Sequence, residues 1–260
     1  MRKIETIGFI GVGTLSSAVI RGILSNSSKP VAVALSPRSA EVTHRLVGEY
    51  PNVTVEADNN AVAQRSDVVF LGMRPQQLSA ALEGVCFRAE QTVASFVATI
   101  PIEEIAALVR PAGRVCRVTP LPSIAQGRGP IVISPPLAEV TALFEGLGDI
   151  IETDRESEVA MLGCASALMS SFFEWQNEVV AWLGERGVAE DRSSLYVRSL
   201  FASLADGGLD QLDKSLALLA GEHETPGGLN EHVRESLRRA EMSRILRESL
   251  DSVSRLALRA

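Results

Sequence analysis

Over the first ~150 residues, apolar runs of strand length alternate with stretches whose apolar residues recur at helical spacing. The runs are KIETIGFIG, VAVALS, SDVVFLGM, QTVASFV, RVCRV and GPIVIS. Between them lie SSAVIRGILSN, SAEVTHRLVGEY, PQQLSAALEGV, PIEEIAALVR and LAEVTALFEGLG. This alternation predicts βαβ units, and so a mostly parallel sheet covered on both faces. DVVFLGM is continuously apolar, as a strand buried on both faces must be. Beyond Thr153 the β-rich runs stop. A long, mostly apolar helical stretch over residues 157–187 ends at Gly187. A second begins near Asp191, its expected N-cap, and stops at Gly207-Gly208. A third, shorter one is GLDQLDKSLALLAG. The last, over 230–259, carries one apolar stripe through Val233, Leu237, Ile245, Leu250 and Leu256. The expected boundary between an α/β domain and an all-helical domain is at residues 153/154.

With Ile4–Ile10 as strand and Thr14–Ser25 as helix, Gly11-Val12-Gly13-Thr14-Leu15-Ser16 fits G-x-G-x-x-G/A with one relaxation. Gly11 permits the tight turn out of the strand. Gly13 lets a pyrophosphate approach the backbone, and the third position needs a small residue for helix–strand packing. Ser16 is small, and its hydroxyl can bond back locally. The free amides of Thr14 and Leu15 at the helix start favour an anion. These residues predict a Rossmann-like, doubly wound nucleotide domain. At the end of the second strand, ALSPRSAE offers Ser36, Arg38 and Ser39, with no acid until Glu41. An acid there would bond ribose hydroxyls and repel a 2′-phosphate, whereas an arginine welcomes it. NADP(H) is therefore expected over NAD(H). Met73, Pro75 and Ala98 follow the later strands at the sheet's carboxyl edge and complete the expected cofactor contacts.

Composition narrows the class. The chain has 260 residues, 46% hydrophobic and 22% charged, which is ordinary for a globular protein. The apolar N-terminus is interrupted by glycines and reads as a buried strand, not an export signal. Residues 1–153 hold 13 basic and 14 acidic residues, a balance of −1; the remainder holds 12 and 18, a balance of −6. Without a basic stripe, nucleic acid and anionic membrane are not expected partners. Cys86, Cys116 and Cys164 form no C-x-x-C pair, and the three histidines are not at ligand spacing. No metal site is expected, and the cysteines read as buried thiols of a reducing cytoplasm.

These residues resemble the pyrroline-5-carboxylate reductase family. IGFIGVGTLSSAVIRGIL is similar to its opening IGFIGAGNMAEALIRGL, and LGMRPQQL to its VKPQ segment, with Arg74 for the lysine. ASFVATIPIEEI resembles its serine-rich AAG strand, RVTPLPS its R-V-M-P-N-T-P motif, and ETPGGLNEHV its T-S-P-G-G-T-T motif. The resemblance implies reduction of a cyclic imine to proline with NAD(P)H. It also implies an all-α C-terminal dimerisation domain, whose helices interlock in a homodimer or larger ring. The departures lie in the substrate half. Leu121 replaces the motif's asparagine, Ser170–Trp175 stands where G-S-G-P-A-Y is expected, and Asn230 replaces the final threonine.

Reducing an imine asks for a positioned nicotinamide and a donor at the nitrogen. Glu174 and Asn177, in an apolar helix expected to be buried, are the catalytic candidates. Two carboxylates at 174 and 178 would be costly there unless they were used. Asn230 joins them as a donor to a ring nitrogen. Thr225, Gly227, Gly228 and Asn230 form the expected substrate-binding turn, its amides directed at a carboxylate. No lysine occurs on the candidate helix; the chain has only Lys3, Lys29 and Lys214. This argues against a lysine-dependent hydroxyacid dehydrogenase. The expected activity is NADPH-dependent reduction of pyrroline-5-carboxylate. The alternatives are a different cyclic imine or carbonyl on the same fold, and a nucleotide-binding protein without catalysis.

Overall fold

The computed structural model describes residues 3–26 and 31–257. Lys29 and the last two residues of the expected C-terminal helix lie outside these. The contacts divide the chain into two units, one up to Gly163 and one over Cys164–Leu256. The first unit contains β1 (Thr6–Ile10), α1 (Thr14–Asn26), β2 (Ala32–Leu35), α2 (Ala40–Glu49), β3 (Val53–Val55), α3 (Asn59–Arg65) and β4 (Val68–Leu71). It continues through α4 (Leu78–Leu82), β5 (Thr92–Ser95), α5 (Ile102–Leu108), β6 (Arg114–Pro120), β7 (Pro130–Ser134), α6 (Ala138–Phe144) and β8 (Asp149–Glu152). It closes with most of α7 (Glu156–Ala165).

The strand order is β3-β2-β1-β4-β5-β6-β7-β8. All neighbours are parallel except β6 and β7, which are antiparallel. The chain thus starts in the middle of the sheet, winds outward through β2 and β3, then returns to place β4 on the other side of β1. That reversal opens a crevice beyond the carboxyl ends of β1 and β4. One face of the sheet buries Ile7, Phe9, Val33, Leu35 and Phe70 with residues of α1, α2 and α6. There Phe9 stacks on Phe70, ring centres 4.8 Å apart. The other buries Ile10, Val69, Leu71 and Val93 under α3, α4 and α5. Burial on both faces is why VVFL of β4 has no polar position to alternate.

Two strands and one helix of this unit had no reading in the sequence. β3 has three residues, and β8 at the sheet edge is largely exposed and carries Asp149 and Glu152. α3 is short and polar, and is started by Asp58, whose side chain accepts from the Ala61 amide at 2.7 Å. Cys116 is buried, and burial pushes its thiol up to about 12. Cys164 is also buried, but Cys86 is exposed.

The second unit contains α8 (Met169–Gly184), α9 (Glu190–Leu209), α10 (Leu216–Glu222), α11 (Leu229–Arg239) and α12 (Met242–Ala257). The long helix expected over 157–187 is two helices, because a 3-10 turn at Ser166–Leu168 separates α7 from α8. α9 starts at Glu190, with Ala189 and not Asp191 as its cap, and runs through Gly207-Gly208. The C-terminal stripe is likewise divided at Glu241, which adopts φ 57°. No helix among the described residues is long and apolar enough to cross a membrane.

One polar contact ties α6 to the sheet. Glu139 accepts from Thr92 Oγ1 on β5 (2.9 Å) and from Arg114 Nε and Nη2 on β6 (2.7 and 2.6 Å). Burial opposes its charge, yet the guanidinium and hydroxyl together hold its carboxyl below the usual 4.5. A lowered folded-state pKa adds stability above the ordinary carboxylate range, and this is lost as pH falls through the folded value. Glu139→Gln should therefore lose about 1 kcal/mol at pH 7, a modest amount because Arg114 is half exposed. The gap from the parent should close below about pH 4 in urea melts.

Candidate nucleotide site and helical-unit residues

The turn after β1 is held from both sides. Gly11, at φ 89°, adopts a conformation that glycine reaches without strain. Its amide donates to Ser36 Oγ at the end of β2 (3.0 Å), and its carbonyl accepts from Ser16 Oγ on α1 (2.8 Å). On the β4 side, a Cβ on Gly11 would stand 2.9 Å from the carbonyl of Gly72. A Cβ on Gly72 would stand 2.1 Å from Ser16 Oγ and 2.6 Å from the Gly11 carbonyl. The third position of the motif is thus a buried serine that fills its place and bonds the turn it packs against.

Gly13 is different. It is exposed, and a Cβ there would have nothing within 4 Å. The protein's own packing does not require a glycine at 13, and its backbone is open to the surface. Thr14 and Leu15 open α1 beside it. The first intrahelical bond runs from Ser17 N to Gly13 O at 2.9 Å, which leaves the amides before it outside the helical ladder. No acid sits in the first turn of α1 to repel a phosphate. These residues fit a dinucleotide pyrophosphate.

Of the other expected cofactor contacts, Ser36 is buried with its oxygen committed to Gly11, so it shapes the turn from beneath. Arg38 is exposed and has no hydrogen-bond or ion-pair partner among the described residues. Ser39 next to it is left-handed (φ 67°, ψ 52°) and makes no side-chain cap to α2. Met73 is half-buried against the second core, and Pro75 opens a 3-10 turn over Pro75–Gln77. Ala98 is exposed between β5 and α5.

In the helical unit, Glu174 and Asn177 line one cavity of about 360 Å³ between α8 and α9, with Phe173, Glu190, Ser194 and Arg198. Neither Glu174 nor Asn177 has a hydrogen-bond partner among the described residues. The premise of a buried helix does not hold: α8 buries Gln176 alone, and Glu174 and Glu178 are exposed. Their presence in an apolar sequence needs no functional excuse on grounds of burial. The turn before α11 also differs from expectation. Gly227 N donates to Glu231 Oε2 (2.6 Å), Gly228 N to Thr225 O (2.7 Å), and Asn230 Nδ2 to His223 O (2.7 Å). The amides expected to await a carboxylate are engaged internally, one of them by the chain's own carboxylate. Thr225 is exposed. No group of three or more potential metal ligands occurs among the described residues.

Two features escaped the sequence reading: the reciprocal fit of Gly72 with Gly11, and a buried arginine, Arg117, within β6. An arginine inside the apolar run RVCRV was the available signal for the second.

The strand order and glycine turn define a Rossmann-type nucleotide-binding unit. The family described as NADP oxidoreductase, coenzyme F420-dependent, matches residues 6–99. Pyrroline-5-carboxylate reductase of Corynebacterium melassecola is 28% identical over 180 residues, 63% of this chain and 66% of that protein. Among solved structures, a pyrroline-5-carboxylate reductase from Coxiella burnetii superposes with a TM-score of 0.86 at 18% identity, over 99% of this chain and 98% of that one. The Plasmodium falciparum pyrroline carboxylate reductase with NADP bound gives 0.80 at 15%, over 99% and 98%. The resemblance to the pyrroline-5-carboxylate reductase family read from the sequence holds, at low identity.

The glycines separate fold from binding. Gly72→Ala should destabilise the protein by about 3 kcal/mol, because backbone and helix must move apart. Gly13→Ala should leave Tm within about 2 °C and weaken NADPH binding on the order of tenfold. Thermal melts with a fluorescence titration of NADPH check both.

Proposed function

We propose that this protein is a cytoplasmic NADPH-dependent reductase of a C=N bond that forms proline from pyrroline-5-carboxylate. An oxidoreductase acting on CH–NH groups is the class its relatives indicate. The observation that carries the reading to this chain is the glycine turn at the β1/β4 crevice, with its open backbone at Gly13. NADPH supplies the hydride when bound. Gly11, Gly13, Thr14 and Leu15 would hold its pyrophosphate, and Met73, Pro75 and Ala98 would line its nicotinamide end. Unpartnered Arg38 and the hydroxyl of Ser39, at the uncapped start of α2, favour a 2′-phosphate. In the helical unit, unpartnered Glu174 or Asn177 faces the substrate nitrogen and donates a proton or hydrogen bond to it.

A homodimer or larger homo-oligomer belongs to the proposal. Phe173 is 63% exposed, Leu195 71% and Leu229 87%, and no residue of α11 is buried. Apolar surface on that scale calls for a partner, and a second copy of the same helices supplies a matching one.

One observation favours a second reading. The carboxylate of Glu231 occupies the Gly227 amide. An imine without a carboxylate, such as 1-pyrroline, needs no anion contact there, so a reductase of neutral cyclic imines is the alternative.

NADPH oxidation with pyrroline-5-carboxylate, with NADH as control, tests the first reading; absence of turnover with NADPH still bound rejects it. Arg38→Ala should raise KM for NADPH about tenfold and leave that for NADH unchanged. Glu174→Gln should cut turnover by about 100-fold at constant NADPH affinity, and unchanged turnover removes Glu174 from the mechanism. Glu231→Gln should lower KM for pyrroline-5-carboxylate several-fold, by about 1 kcal/mol of binding. If 1-pyrroline is the better substrate of the parent and the variant leaves both KM values alone, the second reading replaces the first.

A further inference from the structure

β6 carries Arg117 in the middle of the sheet, 1% exposed. Its register partners are Ser95 on β5 and Ser134 on β7, both buried, so the three side chains form a polar row at the carboxyl end of β5. Arg117 Nε donates to Glu156 Oε1 on α7 at 3.0 Å. Its Nη2 donates to the same carboxylate and to the carbonyl of Ile100. Glu156 in turn accepts the Ile102 amide on both oxygens, each at 3.1 Å. Arg117 Nη1 is buried and has no partner among the described residues.

An ion pair with Arg117 buried and Glu156 partly exposed is weak ground for stability. Its geometry is more informative. Both groups grip the segment that joins β5 to α5, Arg117 at Ile100 and Glu156 at Ile102. The start of the segment is held separately. Ser95 Oγ accepts from Val97 N at 3.1 Å, Phe96 stacks on Phe70 with ring centres 5.4 Å apart, and Val97 is buried. Ala98, Thr99 and Pro101 are exposed in this segment, and of these Ala98 and Thr99 lie between Val97 and Ile100. They lie at the carboxyl edge of β5, the strand next to β4.

We infer that Arg117 and Glu156 are positioning residues that clamp the 96–101 segment, so that Ala98 and Thr99 form a fixed wall for the nicotinamide end of the cofactor. The inference rests on the NADPH reading above. Neither residue touches the cofactor; they act through Ile100 and Ile102. The adenosine and pyrophosphate contacts, at Gly11–Leu15 and Arg38, lie on other elements and are independent of the clamp.

The test compares the parent with Glu156→Gln, which leaves the guanidinium without its counter-charge. Glu156→Asp keeps the charge but withdraws it by one methylene from the Ile102 amide, and serves should the first variant fold poorly. The primary readout is the fluorescence anisotropy of the nicotinamide of bound NADPH, which needs no substrate. The clamp predicts lower anisotropy in both variants, more so in Gln, with the NADPH Kd within about threefold of the parent. With an imine that the parent reduces, kcat should fall about tenfold and the primary isotope effect of deuterated NADPH should rise, as hydride transfer becomes limiting. Unchanged anisotropy and isotope effect would overturn the inference even if Tm fell, since the pair would then be structural only. A parent that binds NADPH but reduces no imine rejects the substrate reading alone, and anisotropy still decides the clamp. A parent that does not bind NADPH rejects both.

Discussion

The backbone approach of Gly11 to Gly72 is the contact on which the rest of the nucleotide unit depends. β1 and β4 are neighbours, and the loops that leave them meet with no room for a single methyl group. Ser16 reaches into the same place and donates to the Gly11 carbonyl. Three residues from three elements therefore set the direction in which α1 leaves the sheet, and with it the aim of the helix N-terminus. Ser36 closes the other side by accepting the Gly11 amide. A dense, satisfied turn thus lies under an open Gly13.

The two units differ in how they are stabilised. The nucleotide unit buries apolar side chains on both sheet faces and ties α6 to the sheet through Glu139, Thr92 and Arg114. The helical unit, taken alone, leaves Phe173, Trp182, Leu195, Leu216 and Leu229 exposed on several helices. Helices with strong apolar stripes and little burial owe their stability to a surface outside themselves. The same unit carries the departures from the family pattern other than Arg74 and Leu121. The divergence of sequence and the unfinished packing thus fall together, away from the glycine turn.

What could be read along the chain follows the range of the forces involved. The β1–turn–α1 segment was legible because its determinants are local: an apolar run, glycines at fixed spacing, a small residue at the third position. The end of β2, with Arg38 and Ser39 and no acid, was legible for the same reason. β3, α3 and β8 were not, being short, polar or half-exposed, and held by neighbours distant in sequence. The break between α7 and α8 was hidden by uninterrupted apolar residues. The burial inferred for Glu174 failed because an apolar sequence shows that a surface must be covered, not that the chain covers it itself.

By itself, then, the sequence determined the alternating α/β order, the glycine turn into α1, the acid-free end of β2 and the change to helices after Thr153. Each of these depends on residues within a turn or two of one another. Only the tertiary structure decided that Ser36 supports the turn from beneath, that Glu231 engages the Gly227 amide, and that Arg117 meets Glu156 and Ile100 around the β5–α5 segment. Arg117 and Glu156 are 39 residues apart, and Ser36 and Gly11 are 25 apart. The geometry of a hydrogen bond across such distances is set by how strands order and pack, which no local pattern of residues encodes.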